Sequence, residues 1–368
     1  MKIAEYELRT IELPLVRPFR TSFGVQHKRE ILLAKITTTE GVVGWGECVA
    51  LSEPVYSPEY VAGCREIIKR FLIPTLDKAG DVAAEDLGEL FKSFLGAPIA
   101  KSTLENALLD AQLRSESRSL ANYLGANKAK VPCGVSVGIA PTIEELVEEV
   151  SGYIKDGYKR IKLKIEPGWD YEPVAEIRRN WPEIPLQVDA NQAYTRHDYE
   201  LLAKLDQFDL LLIEQPLDEH DILGHAELAK IARTPICLDE SITSLRSAED
   251  ALALKATSVI NIKPGRVGGY IEAVKIHDLC FNAGIPVWCG GMLESGIGRA
   301  ANVALAALPG FTLPGDTSAS SRFYLQDITE PFVMEDGYLA VPNTVGVGRV
   351  PDMDFLESVT VHKETIRF

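Results

Sequence analysis

Short apolar runs, each closed by a charged residue, set the rhythm of the middle of the chain. Ile161–Leu163, Leu186–Val188, Leu210–Ile213, Ile236–Leu238 and Val259–Ile262 are rich in Leu and β-branched residues, as strands buried on both faces should be. Lys164, Asp189, Glu214, Asp239 and Lys263 close them at intervals of 25, 25, 25 and 24 residues. One strand, one helix and their loops fill about that length, so each charge takes the same place in successive β/α units. The pattern predicts a barrel with five charged side chains on its C-terminal rim, where such folds keep their chemistry.

The flanking pattern extends the barrel. Val131–Gly138 reads as its first strand. The next helix opens at Pro141, carries Ile143, Leu146, Val147, Val150 and Ile154 on one face and stops at Gly157. A helix over Gly268–Ala283, a strand over Pro286–Cys289 and a faint eighth strand around Phe311–Gly315 complete an α/β fold, a modified TIM barrel of the (β/α)7β type over residues 126–326. Upstream, Ile31–Thr38 and Val42–Cys48 flank Glu40-Gly41 as a hairpin, and Gly44-Trp45-Gly46-Glu47 closes its second strand. Arg17–Gly24 reads as a polar and aromatic loop. From Pro58 to Gly125 the pattern is helical, the last helix covering Lys101–Leu124. Beyond Asp327 it decays into Asp336-Gly337 and Gly346-x-Gly348 turns with short strands. A chain of 368 residues exceeds what one core usually holds. Two units are expected: the barrel, and an α+β unit made of residues 1–125 with residues 327–368 returning to it.

Composition narrows the partners. With 38 basic and 53 acidic residues the net charge is −15, which argues against nucleic acid and anionic membranes. No run approaches the ~20 apolar residues of a membrane span, and Met1–Leu15 lacks the apolar core of a signal peptide. The six cysteines are scattered without a CxxC pair and read as reduced thiols of a cytoplasmic protein.

The rim residues suggest a reaction. Asp189, Glu214 and Asp239 offer three oxygen ligands with no Cys or His beside them, which suits a hard divalent ion, Mg²⁺ before Mn²⁺ or Ca²⁺. Glu240 competes with Asp239 as a ligand, and the period favours Asp239. Lys162 and Lys164, two apart on one strand, point to the same face, where burial and mutual repulsion should lower their pKa values toward those of a base. Lys263 ends the strand four places further round, half the circumference of an eight-stranded barrel, and so faces Lys164 across the mouth. Arg266 stands three residues beyond it, where depressing the Lys263 pKa, binding substrate and a surface role are all open.

Two motifs imitate other chemistries. Gly134-Val135-Ser136-Val137-Gly138 matches the GxSxG pattern of hydrolases, yet none of the six histidines follows a strand as a partner base should. Gly296-Ile297-Gly298-Arg299-Ala300-Ala301 resembles a dinucleotide fingerprint, but the preceding strand ends several residues too early. A phosphate or carboxylate contact at the start of that helix stays open.

The Lys162-x-Lys164 pair, the Asp189, Glu214 and Asp239 set and Lys263 resemble the enolase superfamily in its muconate-lactonising subgroup, over nearly the whole chain. A lysine base beside Mg²⁺ is a known pairing of that superfamily rather than an inference from this sequence. Pro18-Phe19-Arg20-Thr21-Ser22-Phe23-Gly24, Pro132–Gly138, Asn261–Gly269 and Gly290-Gly291-Met292 are most similar to the o-succinylbenzoate synthases that also racemise N-succinylamino acids. The resemblance implies a capping domain whose loops, Arg17–Gly24 and Ser52–Tyr60, close the barrel mouth. It implies Lys164, Lys263 and Lys162 as catalytic groups, and Phe19, Phe23, Ser136, Asn191, Gly291, Met292 and Phe323 as the lining of the substrate site. The implied activity is dehydration of 2-succinyl-6-hydroxycyclohexadiene-carboxylate through an enediolate, in menaquinone synthesis, together with racemisation of N-succinyl amino acids. Its partners would be a small carboxylate substrate and further copies of the chain. Racemisation as the main role, muconate cycloisomerisation and dipeptide epimerisation stay open. Dipeptide epimerases carry an Asp-x-Asp where this chain has Asp316-Thr317-Ser318. A non-catalytic metal-binding barrel would leave three potential acid/base lysines without a purpose.

Overall fold

In the N-terminal strands, neighbouring residues serve different cores: Leu32, Ala34 and Ile36 join one apolar cluster, and Ile31 and Leu33 another. The sheet they build is therefore covered on both faces. The computed structural model, which describes residues 1–367, forms it from β1 (Ile3–Thr21), β2 (Gly24–Thr38) and β3 (Val43–Cys48) in a meander. Arg17–Gly24, expected as a loop, is instead the end of the β1–β2 hairpin. Phe19 pairs with Gln26, Arg20 with Val25 and Thr21 with Gly24 after an irregularity that absorbs Pro18. The two arginines and the proline hid a strand that its partner holds in place.

One face of this sheet lies against the helix Pro98–Ser115. That contact depends on Gly44 and Gly46. A Cβ at Gly46 would lie 2.1 Å from the Thr103 carbonyl oxygen, and one at Gly44 would lie 2.2 Å from that of Ala107. The helix expected over Lys101–Leu124 is two helices. The first ends at Ser115, Ser117 takes a left-handed backbone, and Ser119 caps a second over Leu120–Leu124.

The barrel follows. Val131–Gly138 is split into β4 (Lys130–Pro132) and β5 (Gly134–Val137), because β4 leaves the barrel to pair with a strand near the C-terminus. Parallel strands β6 (Arg160–Lys164), β7 (Leu186–Asp189), β8 (Ile213–Glu214), β9 (Ile236–Leu238), β10 (Val259–Ile262) and β11 (Val287–Cys289) then add in sequence order. β8 is shorter than the run Leu210–Ile213 suggested. The eighth strand, expected around Phe311–Gly315, is reduced to bridges: Phe311 pairs with Val287 and Gly315 with Cys133. Gly134 N–H also donates to the Gly315 carbonyl at 2.7 Å and Asp316 N–H to the Cys289 carbonyl at 2.9 Å, so this segment closes the gap between β11 and β5.

After β12 (Tyr338–Ala340), the partner of β4, the chain returns to the first sheet as β13 (Thr360–Ile366), whose Ile366 pairs with Tyr6. Val347 N–H donates to Asp110 on the helix Pro98–Ser115, and Asp110 also accepts from Trp45 N–H. One apolar cluster runs from Leu8 through Leu104 to Val188 and Ala304, so the two units share a core. Among the described residues no helix is long and apolar enough to cross a membrane.

The glycines give a two-sided test. Gly46→Ala drives a methyl group into helix backbone and should lower unfolding stability by about 3 kcal/mol. Gly152→Ala, in the helix Ile143–Lys155 with nothing within 4 Å of its Cβ, should raise it by about 0.5–1 kcal/mol. Denaturant unfolding of both variants reads the difference.

Candidate active site

Register places the rim charges side by side. Lys164 pairs with Asp189, Asp189 with Glu214, and Glu214 with Cys237, two residues before Asp239. Lys263 follows β10 directly. All are buried: Asp239 and Glu214 are 0% exposed and the three lysines no more than 8%. Burial of this much charge demands pairing, and the pairs are short. Lys164 Nζ donates to Asp189 Oδ2 at 2.6 Å and to Asn191 Oδ1 at 2.5 Å. Lys162 Nζ reaches Asp316 at 2.8 Å, Glu214 at 3.1 Å and Asp189 at 3.2 Å. Lys263 Nζ donates to Asp239 Oδ2 at 2.7 Å and to Tyr56 Oη at 2.9 Å, while Arg266 closes on Asp239 Oδ1.

These pairs reverse one expectation. Burial by itself would lower Lys162, but the carboxylates of Asp316, Glu214 and Asp189 outweigh it and hold the ammonium well above its ordinary range. Lys263 is raised likewise, its burial overcome chiefly by Asp239. Acids on neighbouring strands, and not repulsion between the two lysines of β6, set the balance.

One cavity collects the side chains the sequence picked out. Phe19, Phe23, Ser136, Asn191, Gly291, Met292 and Phe323 line it together with Lys162, Lys164 and Lys263, while Asp189, Glu214 and Asp239 lie beneath, bonded to those lysines. The hairpin tip forms its roof. Ile139 N–H donates to the Arg20 carbonyl at 3.0 Å, and Arg20 pairs with Glu166 at 3.1 Å. Phe23 lies 6.1 Å from the ring of Tyr56. Ser136 Oγ is buried without a partner and lines the cavity, as a group left for a ligand would be.

Tyr56 lies in Ser52–Tyr60, the loop that the resemblance places at the mouth, but no periodicity singles it out as a site residue. Asp316 is the other surprise, since it is bound to both Lys162 and Arg160, the latter at 2.9 Å. Arg266 belongs to the site and not to the surface, bonded to Asp239, Tyr56 and the Ile242 and Asn261 carbonyls.

The look-alike motifs resolve into structure. Among the described residues no histidine lines the cavity beside Ser136. At the start of the helix Gly296–Ala306 stands a carboxylate of the protein itself, Glu47, accepting from Ser295 and Gly298.

Asp189, Glu214 and Asp239 could hold a hard cation, and the donor set fits one. Among the described residues no three acidic, His or Cys side chains are already gathered as a cage; here each carboxylate is turned to an ammonium or guanidinium. Yet Glu240 Oε2 is buried with no partner, and Asn191 Nδ2 holds only its other oxygen, at 2.9 Å. Burial, aided by the charge of Asp189, pushes Glu214 up to about 8, and burial with Asp239 raises Glu240 too. Acids forced to keep protons among other carboxylates are groups that a divalent cation would ionise.

Comparison with known proteins agrees in extent. The model "Mandelate racemase / muconate lactonizing enzyme, N-terminal domain" matches residues 5–125, and "Enolase C-terminal domain-like" matches residues 145–355. An N-succinylamino acid racemase of Amycolatopsis sp is 57% identical over 99% of both chains. An o-succinylbenzoate synthase of Geobacillus kaustophilus is 44% identical over 96% of this chain and 94% of its own. The crystal structure of an enolase superfamily member from Listeria innocua superposes with a TM-score of 0.96 at 41% identity, covering 100% of this chain and 99% of the other.

The protonated acids make cation binding pH-linked. Glu214 holds a proton below about 8 when folded, whereas an unfolded Glu releases it near 4.3. Without a cation, stability should therefore fall as pH rises from roughly 4.3 toward 8. Binding of Mg²⁺ at pH 7 should release roughly one to two protons, from Glu214 and Glu240. Titration calorimetry in buffers of different protonation enthalpy measures this. Heats independent of buffer would mean that both acids are already ionised.

Proposed function

The chain belongs to the mandelate racemase / muconate lactonizing enzyme group of the enolase superfamily, and from that premise we propose that it is an o-succinylbenzoate synthase that also racemises N-succinyl amino acids. Enzymes of this group typically use a divalent metal. We take it to be Mg²⁺, held by Asp189, Glu214 and Asp239. Bound there, it would act as a Lewis acid, stabilising the negative charge that develops on the substrate carboxylate.

The chain's own residues supply the rest. Lys164, as the free amine, takes the proton α to the carboxylate. Its bonds to Asp189 and Asn191 fix where the amine sits. In dehydration the β-hydroxyl then departs as water with a proton that Lys164 returns. In racemisation Lys263 delivers a proton to the opposite face, aimed by Tyr56 and Asp239. Lys162 stays an ammonium and lends positive charge beside the reacting carboxylate. Phe19, Phe23 and Phe323 exclude water. Charge balance suits a dicarboxylate. Asp189, Glu214, Asp239 and Asp316 are bonded to Lys164, Lys162, Lys263, Arg266 and Arg160, so a bound divalent cation would add positive charge that a substrate carboxylate meets, and Arg160 and Lys162 leave the cavity no surplus of acid to repel a second one. Racemisation as a principal role is favoured by the support given to Lys263, which dehydration needs only as a nearby charge. The buried free thiols suit a cytoplasmic enzyme.

One observation carries this reading: Lys164 and Lys263, at the ends of strands four places apart, line one cavity, the first bonded to Asp189 and the second to Asp239. Each should exchange the α-proton of one enantiomer only. In D₂O, Lys164→Ala should abolish racemisation and dehydration but keep exchange of the enantiomer facing Lys263, and Lys263→Ala should keep exchange of the other. Exchange of the same enantiomer by both variants would overturn the assignment, and so would full activity after exhaustive chelation.

A further inference from the structure

Gly291, Met292 and Leu293 line the cavity, yet this segment has no strand or helix of its own to hold it. Leu293 has φ of 59°, a left-handed backbone that a leucine adopts only when its surroundings impose it. Side-chain hydrogen bonds impose it. Glu294 Oε1 accepts from Met292 N–H and from Asn302 Nδ2, both at 2.9 Å, and Tyr270 Oη fixes Asn302 in turn at 2.9 Å. Tyr324 Oη donates to the Leu293 carbonyl.

The remaining anchor comes from the other unit. Glu47, on β3 of the capping sheet and 5% exposed, accepts from Ser295 N–H at 2.9 Å, Ser295 Oγ at 2.6 Å and Gly298 N–H at 2.9 Å. A Cβ at Gly298 would lie 2.9 Å from Glu294 Cγ and 3.0 Å from Glu47 Oε2, so the glycine leaves room for both acids. We propose that Glu47 is a positioning residue: through it the capping sheet reaches into the barrel and fixes residues 291–295 in the shape that lines the substrate cavity. The position of the cap and the shape of the pocket wall are thereby one variable. This inference rests on the racemase and synthase reading only for the identity of the substrate.

The test is Glu47→Gln in the full chain with Mg²⁺. The carboxamide keeps the volume but turns an N–H₂ group toward donors. For an N-succinyl amino acid KM should rise roughly ten-fold while kcat stays within about two-fold. By hydrogen exchange, amides 291–295 should open roughly ten-fold faster, with β1–β3 and β6–β10 unchanged. Ser295→Ala, which removes one of the three bonds, should move both readouts the same way by less, and it decides the matter if Glu47→Gln does not fold. Unchanged KM and unchanged local exchange would overturn the proposal. So would faster exchange spread over the whole chain with kcat falling alongside the folded fraction, since that marks a merely structural role. If the wild type turns over neither substrate, the functional reading falls, and the exchange comparison still decides the role of Glu47.

Discussion

Everything at the mouth of this barrel follows from the need to keep buried charges paired. Asp189, Glu214, Asp239 and Asp316 share with Arg160, Lys162, Lys164, Lys263 and Arg266 a space from which water is largely excluded, where an unmatched charge costs several kcal/mol. No one strand can satisfy that requirement. Lys162 on β6 needs Asp316 from the closing segment, and Asp239 after β9 needs Lys263 and Arg266 from the next unit. The charges therefore fix the register of the strands as well as the chemistry, because a slip by one residue would turn them into the apolar layer between strands and helices. A site assembled this way is held rigid before substrate arrives, which is the condition for electrostatic help to the reaction.

The capping unit completes the site instead of merely covering it. Tyr56 supplies a hydroxyl to Lys263 and Arg266, and Glu47 supplies a carboxylate to the segment beside Met292. Both act from an element folded around the other end of the chain. The pairing of β13 with β1 and the grip of Asp110 on Val347 hold the two ends of the chain together in that unit. An enzyme that must exclude water over its substrate gains from this arrangement, since the roof and one wall of the pocket are tied to the same unit.

The sequence showed what is periodic and missed what is relational. Asp189, Glu214 and Asp239 were legible because parallel strands repeat one place in every unit, so spacing alone puts them in a row. Phe19 and Phe23 were found through resemblance, while the strand that carries Phe19 and leads into the turn with Phe23 was missed, because alternation breaks at Pro18 and only the pairing with Gln26 and Gly24 restores it. Tyr56 was reached only as part of the loop Ser52–Tyr60 that the resemblance places at the mouth, and its bond to Lys263 depends on how two units dock. The raised pKa values of Lys162 and Lys263 were missed for a related reason: they are set by acids from other strands, which no local pattern displays.

Asp316 bears on the choice among the reactions this fold could run. A substrate with a free ammonium needs an unpaired carboxylate to receive it, and the acid at the end of the eighth segment is placed for that task. Here Lys162 and Arg160 both hold Asp316, and the residue two positions on is Ser318, whose hydroxyl donates to the Gly134 carbonyl. Neither offers uncompensated negative charge. An acylated amine, neutral and able to accept as well as donate hydrogen bonds, makes no such demand. The neutralised Asp316 thus disfavours dipeptides and fits both a succinylated amino acid and a carbocyclic succinyl acid, two molecules that share nothing at the reacting carbon except a carboxylate and the proton beside it.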